Sequence, residues 1–200
     1  MDAAKILWKR YPWPHAKPNV PPNDQPIWIN DATVQVFHDK IPSNAKVILE
    51  LGSWKGVSTR LLAGVAKGAD VIAVDTWRGS EEHTDDTEVK NMLETLYDTF
   101  LVNCWDYRDR IIPLRMTTLE GMENVADAGV QPDAVYVDAA HDTHSVLVDT
   151  ETAVRLFPNA RIIGDDFSWK SVADAVQIML EKNGWAYGWY ENTWWLQRNM

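Results

Sequence analysis

Five apolar runs of strand length alternate with stretches of helical spacing along most of this chain, and the alternation restricts the folds it can adopt. The apolar runs cover residues 46–51, 70–75, 110–115, 133–138 and 160–165. The stretches with helical spacing cover residues 57–66, 88–104, 118–129, 144–157 and 171–183. Because the strands are apolar on both faces, they are typical of a parallel sheet that helices cover on each side. The predicted fold class is therefore α/β, doubly wound and Rossmann-like.

The C-terminal residues predict a different kind of strand pair. Residues 185–191 and 193–198 are rich in aromatic side chains, and Asn192 between them is a turn residue. This pattern indicates an antiparallel hairpin. With the hairpin included, we expect a mostly parallel sheet of seven strands.

The N-terminal region has a separate character. Residues 11–26 contain six prolines, which fix φ and remove backbone donors, so this segment is predicted to be an extended strap. Residues 27–41 follow as a short predicted helix that ends at Pro42. We divide the chain into an N-terminal strap and helix, residues 1–44, and a main domain, residues 45–200. The strap either covers a site, packs on a second subunit of a homo-oligomer or lies on the surface.

Composition narrows the classes of partner. The 200 residues suit one domain, and their formal charge of −10 argues against nucleic acid, whose binding needs clustered Lys and Arg. No apolar run is long enough to suggest a membrane segment. Cys104 is the only cysteine and therefore cannot form an intramolecular disulfide. The sequence predicts a soluble, cytoplasmic protein that acts on a small molecule.

Acidic residues follow most of the predicted parallel strands. Glu50, Asp75, Asp138 and the pair Asp165 and Asp166 all stand at or just beyond a strand end. Ligands of doubly wound sheets bind outside the carboxyl ends of the strands. A single acid there is commonly only a turn former or a helix cap, but this many together indicate a site.

The turn after the first strand has its own requirements. Gly52 and Gly56 let a ligand approach the backbone, and Ser58 or Thr59 follows in the first turn of the helix. The spacing is GxxxG rather than the GxGxxG of dinucleotide sites, which disfavours a nicotinamide or flavin cofactor. Glu50 suits a ligand with a positively charged amine, and Asp75 suits the two hydroxyls of a ribose.

Two of these segments resemble the motifs of a known family. ELGSWKG, residues 50–56, resembles the first motif of class I S-adenosylmethionine-dependent methyltransferases, and VIAVDTW, residues 71–77, resembles the second. The resemblance covers roughly residues 45–170 and implies S-adenosylmethionine as cofactor, with Trp77 over a face of its adenine. The cofactor-binding residues that it implies are Glu50, Gly52, Ser53, Trp54, Gly56, Ser58, Asp75, Thr76, Trp77, Thr117, Thr118 and Asp138.

A narrower resemblance concerns YVDAAHDTHSV, residues 136–146, and IIGDDF, residues 162–167. Both are similar to segments of metal-dependent O-methyltransferases, which include catechol methyltransferases and the sugar methyltransferases of macrolide and aminocoumarin biosynthesis. The implied metal ligands are Asp138, Asp165 and Asp166. Converging carboxylates repel one another, and a hard divalent cation such as Mg²⁺, or Mn²⁺ in its place, relieves that repulsion.

His141 is the predicted catalytic residue. It stands three residues after Asp138, where the catechol methyltransferases carry a lysine base, so the resemblance implies that it accepts the proton of the acceptor hydroxyl. His144 is expected to be structural. As an alternative, Asp138, His141 and His144 would form an iron site with two histidines and one carboxylate, but this leaves the carboxylates after the fifth strand unexplained.

The predicted function is metal-dependent O-methylation of a small-molecule hydroxyl, on a sugar or a phenol. The alternatives are an iron-dependent oxygenase on the same fold and a non-catalytic ligand-binding module. Trp54, Trp77 and Trp169 lie next to the predicted site loops, but aromatic rings stack on sugars, phenols and adenine alike. The charged segment at residues 78–88, which carries His83, is either a lid or a solvated insertion.

Overall fold

A single seven-stranded sheet organises the computed structural model, which describes residues 4–79 and 92–197. Its strands are β1 (Val47–Leu51), β2 (Asp70–Asp75), β3 (Ile111–Arg115), β4 (Ala134–Val137), β5 (Arg161–Gly164), β6 (Ala186–Tyr190) and β7 (Thr193–Gln197). The strand order is β3-β2-β1-β4-β5-β7-β6, and the first five strands of this order are parallel. β7 runs antiparallel to both β5 and β6. The predicted doubly wound, mostly parallel sheet with a C-terminal hairpin is confirmed.

Helices cover both faces of this sheet. They are α1 (Ala4–Arg10), α2 (Asp31–Lys40), α3 (Val57–Val65), α4 (Leu96–Asn103), α5 (Thr118–Asp127), α6 (Thr143–Leu156) and α7 (Lys170–Asn183). Apolar side chains of α1, α5, α6 and α7 pack in one core, and those of α2, α3 and α4 pack in another. Successive strand residues alternate between the cores, so that Leu49 and Leu51 enter the first and Ile48 enters the second.

Local sequence explains where several elements lie. Pro113 cannot donate a ladder hydrogen bond, and β3 is an edge strand of the sheet, where such a residue is tolerated. The helix predicted at residues 27–41 begins instead at Asp31, because the Asn30 side chain caps it by accepting the Thr33 N–H at 3.0 Å. The helix α1 is an additional element that the sequence patterns do not predict.

The long helix predicted at residues 88–104 is observed only in part. Its residues 88–91 lie outside the described residues, a turn occupies residues 94–95, and α4 then runs to Asn103. Most of the charged segment at residues 78–88, with His83, also lies outside the described residues. Among the helices of the described parts of the chain, none is both long and apolar enough to span a bilayer.

The C-terminal hairpin is fastened to the end of β5. The Trp194 ring lies over Gly164, where an added Cβ would be 2.2 Å from a ring carbon. The indole N–H of Trp194 donates to the backbone carbonyl of Asp165 at 3.0 Å. The hairpin therefore fixes the position at which the chain leaves β5 and enters the acidic segment that follows.

Candidate active site

The strand order brings the predicted acids to one edge of the sheet. β2, β1, β4 and β5 are neighbours, so their carboxyl ends stand side by side. The order reverses between β1 and β4, and crevices at such points are the usual ligand sites of doubly wound sheets. The turns after these two strands touch, because an added Cβ at Gly52 would lie 1.9 Å from the carbonyl oxygen of Asp138.

The turn after β1 is shaped by two glycines with positive φ. Gly52 has φ 88° and Gly56 has φ 80°, in the left-handed region that L side chains rarely adopt. Gly56 is the N-cap of α3, and an added Cβ there would lie 2.4 Å from the Sγ atom of the buried Cys104. Neighbouring atoms therefore leave no room for a side chain at either glycine.

Asp75 organises the same turn. One of its carboxylate oxygens accepts the backbone N–H groups of Ser53 at 2.9 Å and Trp54 at 2.8 Å. The other accepts the N–H of Trp77 at 2.6 Å. Asp75 thus joins the turns after β1 and β2, which is a role that the sequence did not indicate. Its contact with a ribose remains a prediction.

Glu50 is a fully buried acid beneath the turn. One carboxylate oxygen accepts the hydroxyl of Ser53 at 2.6 Å and that of Thr59, while the other oxygen has no hydrogen-bond partner within the described residues. Burial raises the pKa of Glu50 to about 7, although the nearby hydroxyl groups of Ser53, Ser58 and Thr59 lower it. A buried acid with an unsatisfied oxygen is suited to a positively charged ligand.

Trp77 packs in the interior at the end of β2. Its ring is 1% exposed and lies 4.7 Å from the ring centroids of both Tyr97 and Phe100. Its indole N–H donates to the carbonyl oxygen of Trp54 at 2.8 Å. Thr76, half-buried, precedes it. Trp77 therefore helps to support the turn after β1, and its stacking on adenine stays a prediction.

The predicted cofactor residues after β3 have structural partners. Thr117 forms a capping box at the start of α5, in which its side chain and that of Glu120 each satisfy a backbone N–H of the other residue. Thr118 donates to a carboxylate oxygen of Asp149 at 2.6 Å. These contacts fix the start of α5 near the carboxyl end of β3, and the predicted contact with adenine is not tested by them.

A compact group of possible metal ligands lies after β4 and β5. Asp138, His141 and Asp166 each offer one ligand atom, and these atoms lie within 4.8 Å of one another. The Nε2 atom of His141 is 2.7 Å from a carboxylate oxygen of Asp166. His144, exposed in the first turn of α6, does not join the group. The alternative iron site, with two histidines and one carboxylate, is therefore not formed by Asp138, His141 and His144.

Asp165 belongs to a different set of contacts. Its carboxylate accepts the hydroxyl of Tyr136 at 2.8 Å, the backbone N–H of Asp166 at 3.0 Å and the hydroxyl of Thr193 at 3.4 Å. The residue is only 7% exposed. Tyr136 and Thr193 were not predicted to belong to the site. The one available signal was a tyrosine hydroxyl within the otherwise apolar run of β4.

The carboxylates differ in how readily they ionise. Burial, followed by the charges of Asp165 and Asp166, raises the pKa of Asp138 well above its usual value. Burial also raises the pKa of Asp165 to about 6. Burial would likewise raise the pKa of Asp166, but the hydrogen bond and charge of His141 hold it below its usual value. A cation among these groups would favour their ionised forms.

The strap is attached beside the turn after β1. The Asn103 side chain donates to the carbonyl oxygens of Lys55 at 2.9 Å and Asn23 at 3.0 Å, and it accepts the Asn23 N–H at 3.1 Å. Asp24 forms an ion pair with Arg60 of α3 at 2.6 Å. Of the alternatives for the strap, these contacts place its last part against the predicted cofactor turn.

Two further contacts continue this attachment. The Nζ atom of the buried Lys55 donates to the carbonyl oxygen of Gln25. The rings of Trp28 and Trp54 lie 5.6 Å apart, and Trp28 is 60% exposed. An open aromatic surface therefore borders the turn on the strap side.

A family of known proteins shares the sequence of the segment that carries the candidate site. Residues 49–167 match the sequence model of a family described as a methyltransferase domain. The chain belongs to this methyltransferase family. The matched segment includes the turn after β1 and ends just beyond the acidic pair after β5. None of the curated proteins matches this methyltransferase significantly.

Solved structures share the methyltransferase's fold at low identity. One is the O-methyltransferase TomG from Streptomyces achromogenes, which is involved in tomaymycin synthesis and was solved with S-adenosylmethionine. It is 12% identical with a TM-score of 0.64, and the match covers 100% of this chain and 91% of the TomG chain. A structure from Staphylococcus aureus, whose protein is assigned as a caffeoyl-CoA O-methyltransferase, is 18% identical with a TM-score of 0.62, and the match covers 85% of each chain. An O-methyltransferase from Bacillus cereus was solved with S-adenosylhomocysteine. It is 15% identical with a TM-score of 0.57, and the match covers 98% of this chain and 89% of the Bacillus cereus chain.

Proposed function

We propose that this methyltransferase transfers the methyl group of S-adenosylmethionine to a hydroxyl of a small-molecule acceptor, a sugar or a phenol, with the help of a divalent cation. The observation that carries the proposal is the contact between two turns. The turn after β1 has glycine backbone over a buried acid, and the adjoining turn after β4 begins the group of Asp138, His141 and Asp166. A cofactor site and a cation site would thus be neighbours.

The chain's own groups fit the parts of the cofactor. Glu50 would oppose the positively charged amine, since its second oxygen has no partner in the described chain. The turn at Gly52 presents backbone with no side chain to the ligand, and the ribose would lie near Asp75. These contacts would orient the cofactor so that its methyl group faces the acceptor.

The donor set after β4 and β5 fits a divalent cation. Asp138 and Asp166 offer oxygen atoms close to one another, as Mg²⁺ and Mn²⁺ require. A bound cation would lower the pKa of an acceptor hydroxyl and so favour its attack on the methyl group. His141 stands where it would either accept the proton of the acceptor or bind the cation itself.

An exposed aromatic ring lies beside the proposed cation site, where the acceptor hydroxyl would bind. The Trp169 ring lies 4.9 Å from that of His141 and is 47% exposed. Such a surface can stack on an aromatic ring or on the apolar face of a sugar. This feature supports a phenol or a sugar as acceptor and does not separate them.

We expect S-adenosylhomocysteine to bind the purified protein and to raise its melting temperature, whereas NAD does not. A ligand at about a hundred times its Kd adds roughly 2.7 kcal/mol of stability, which a thermal-shift measurement detects easily. Asp75→Asn should weaken binding, and the melting temperature of the ligand-free variant reports separately on the loss of the turn contacts. Binding of NAD without S-adenosylhomocysteine would contradict the proposed cofactor.

Removal of metal should separate binding from turnover. We expect excess chelator to abolish methyl transfer while calorimetry still shows S-adenosylhomocysteine binding, because Glu50, Gly52 and Asp75 lie outside the group of possible metal ligands. Added Mg²⁺ or Mn²⁺ should restore turnover. Full activity in chelator would refute the cation's role and leave the methyltransferase assignment in place.

A further inference from the structure

We infer that His141 is a ligand of the cation together with Asp138 and Asp166, while Asp165 supports the loop from outside the ligand set. The site would then select a first-row transition ion such as Mn²⁺ over Mg²⁺. This inference rests on the proposed function, because it concerns the cation proposed there. It departs from the sequence prediction, in which Asp165 was a ligand and His141 a general base.

The first support is the position of the three donor atoms. One atom each of Asp138, His141 and Asp166 lies within 4.8 Å of the other two, which is close enough for one ion to bind all three. The residues come from the segments after β4 and β5, so the group does not arise from helical spacing alone. Within the parts of the chain that the structure describes, Asp165 does not belong to this group.

The backbone explains why the two neighbouring acids separate. Asp166 has φ 59°, in the left-handed region that a non-glycine residue rarely adopts. The chain therefore changes direction directly after Asp165, and the two carboxylates take different partners. Asp165 is held by Tyr136 and Thr193 in the interior, whereas Asp166 faces His141.

The hairpin holds Asp166 in this orientation. The Asn192 side chain donates to the second carboxylate oxygen of Asp166 at 3.0 Å and accepts the Ser168 N–H at 2.9 Å. The carbonyl oxygen of Asn192 accepts the Phe167 N–H at 2.8 Å. One oxygen of Asp166 is thus fixed by Asn192, and the other is directed to the group with His141.

The His141 ring is also fixed. It packs against the Trp169 ring with centroids 4.9 Å apart and planes inclined by 34°. Its side chain is 20% exposed, so the group is close to the surface and open to an ion from solvent. The contact with Trp169 limits the rotation of the ring, and an imidazole that binds a metal must keep its nitrogen in one direction.

Ligand chemistry then sets the choice of ion. Mg²⁺ prefers oxygen atoms, whereas imidazole nitrogen suits first-row transition ions, for which affinity rises from Mn²⁺ through Fe²⁺ to Co²⁺. A set of two carboxylates and one imidazole is therefore better matched to these ions than a set of three carboxylates. An imidazole nitrogen that binds the ion does not accept a proton, so the acceptor's proton would go to another group.

Pulsed electron paramagnetic resonance on the Mn²⁺ complex of the whole chain tests the assignment directly. We expect nitrogen hyperfine coupling in the wild-type complex, its loss in His141→Ala, and its retention in Asp165→Asn. His144→Ala is the matched control, because His144 is exposed three residues further along and lies outside the group. It should retain the coupling.

Calorimetric titration of the same variants with Mn²⁺ and Mg²⁺ gives the second measurement. We expect Mn²⁺ to bind wild type at least about 10-fold more tightly than Mg²⁺. His141→Ala should remove more than about 100-fold of the Mn²⁺ affinity, beyond the 10- to 100-fold typical of a supporting residue such as Asp165. A wild-type Mn²⁺ complex without nitrogen coupling, or unchanged affinity in His141→Ala, would overturn the inference.

S-adenosylhomocysteine titration of the same preparations separates this inference from the proposed function. Cofactor binding together with a purely oxygen-bound Mn²⁺ would overturn the ligand role of His141 and support the general-base role. Absence of cofactor binding would count against the proposed function itself, whatever the Mn²⁺ spectrum shows.

Discussion

Glu50→Gln is expected to make the ligand-free protein more stable at pH 8 and to weaken S-adenosylhomocysteine binding by at least about 100-fold. Both effects follow from one buried carboxyl. Its first oxygen is held by hydroxyl groups, and its second has no partner in the described chain. An uncharged side chain removes the cost of ionising a buried acid, but it also removes the charge that would face the ligand's amine.

The direction of the pH effect follows from the raised pKa. Burial moves the pKa of Glu50 from 4.5 to about 7, so between these values the folded protein keeps a proton that the unfolded chain has lost. The stability of the ligand-free protein should therefore fall as pH rises from 4.5 to 7 and remain low above pH 7. The shift corresponds to roughly 3 kcal/mol, which is the upper bound for the gain in Glu50→Gln.

Urea unfolding of wild type and variant between pH 5 and pH 8, with calorimetric titration of S-adenosylhomocysteine, measures both effects. Asp149→Asn is a useful control, because burial also raises the pKa of Asp149 to about 6 on α6. It should reduce the pH dependence of stability without a comparable loss of cofactor affinity. If Glu50→Gln binds the cofactor as wild type does, Glu50 does not contact the amine.

Gly52→Ala is expected to abolish cofactor binding and to destabilise the fold by more than about 3 kcal/mol. Its added Cβ would lie 1.9 Å from the carbonyl oxygen of Asp138 and 2.7 Å from the Cα of Ala139. Both are backbone atoms, so the clash can be relieved only if the turns after β1 and β4 move apart. Strain and displacement of this kind are among the few causes of large single-residue effects.

Two other glycines separate the effect of backbone strain from that of the steric clash. Gly129 also has positive φ, at 73°, but an added Cβ meets nothing within 4 Å, so Gly129→Ala measures the backbone cost without a clash. Gly64 lies within α3 and is equally open, so Gly64→Ala should stabilise the protein by about 0.5–1 kcal/mol. Gly52→Ala should lose far more stability in chemical denaturation than Gly129→Ala does. Equal losses would show that the two turns separate without cost.

The sheet and the positions of its acids were predictable because both depend on short-range patterns. A buried parallel strand requires an apolar run, and Asp138 or Asp165 stands where that run stops. The topology then determines that the carboxyl ends of β1 and β4 adjoin. From these facts alone the edge of the sheet that holds the candidate site can be located.

The contacts within the site were less predictable because they depend on backbone conformation and on distant segments. The sequence Asp165-Asp166 does not indicate that Asp166 adopts a positive φ, which directs the two side chains to different partners. The partners of Asp165 come from β4 and β7, and those of Asp166 come from the loop after β4 and from the turn between β6 and β7. Such long-range hydrogen bonds have no local signature in a single sequence.

The position of Cys104 gives the protein an internal reporter of motion at the turn after β1. The thiol is buried beneath Gly56, and burial raises its pKa far above the range in which a thiol reacts readily. A thiol reagent can therefore reach it only when the packing around Gly56 opens. Because the chain has a single cysteine, the labelling rate reports how often that opening occurs, with no engineered probe and no second site to subtract.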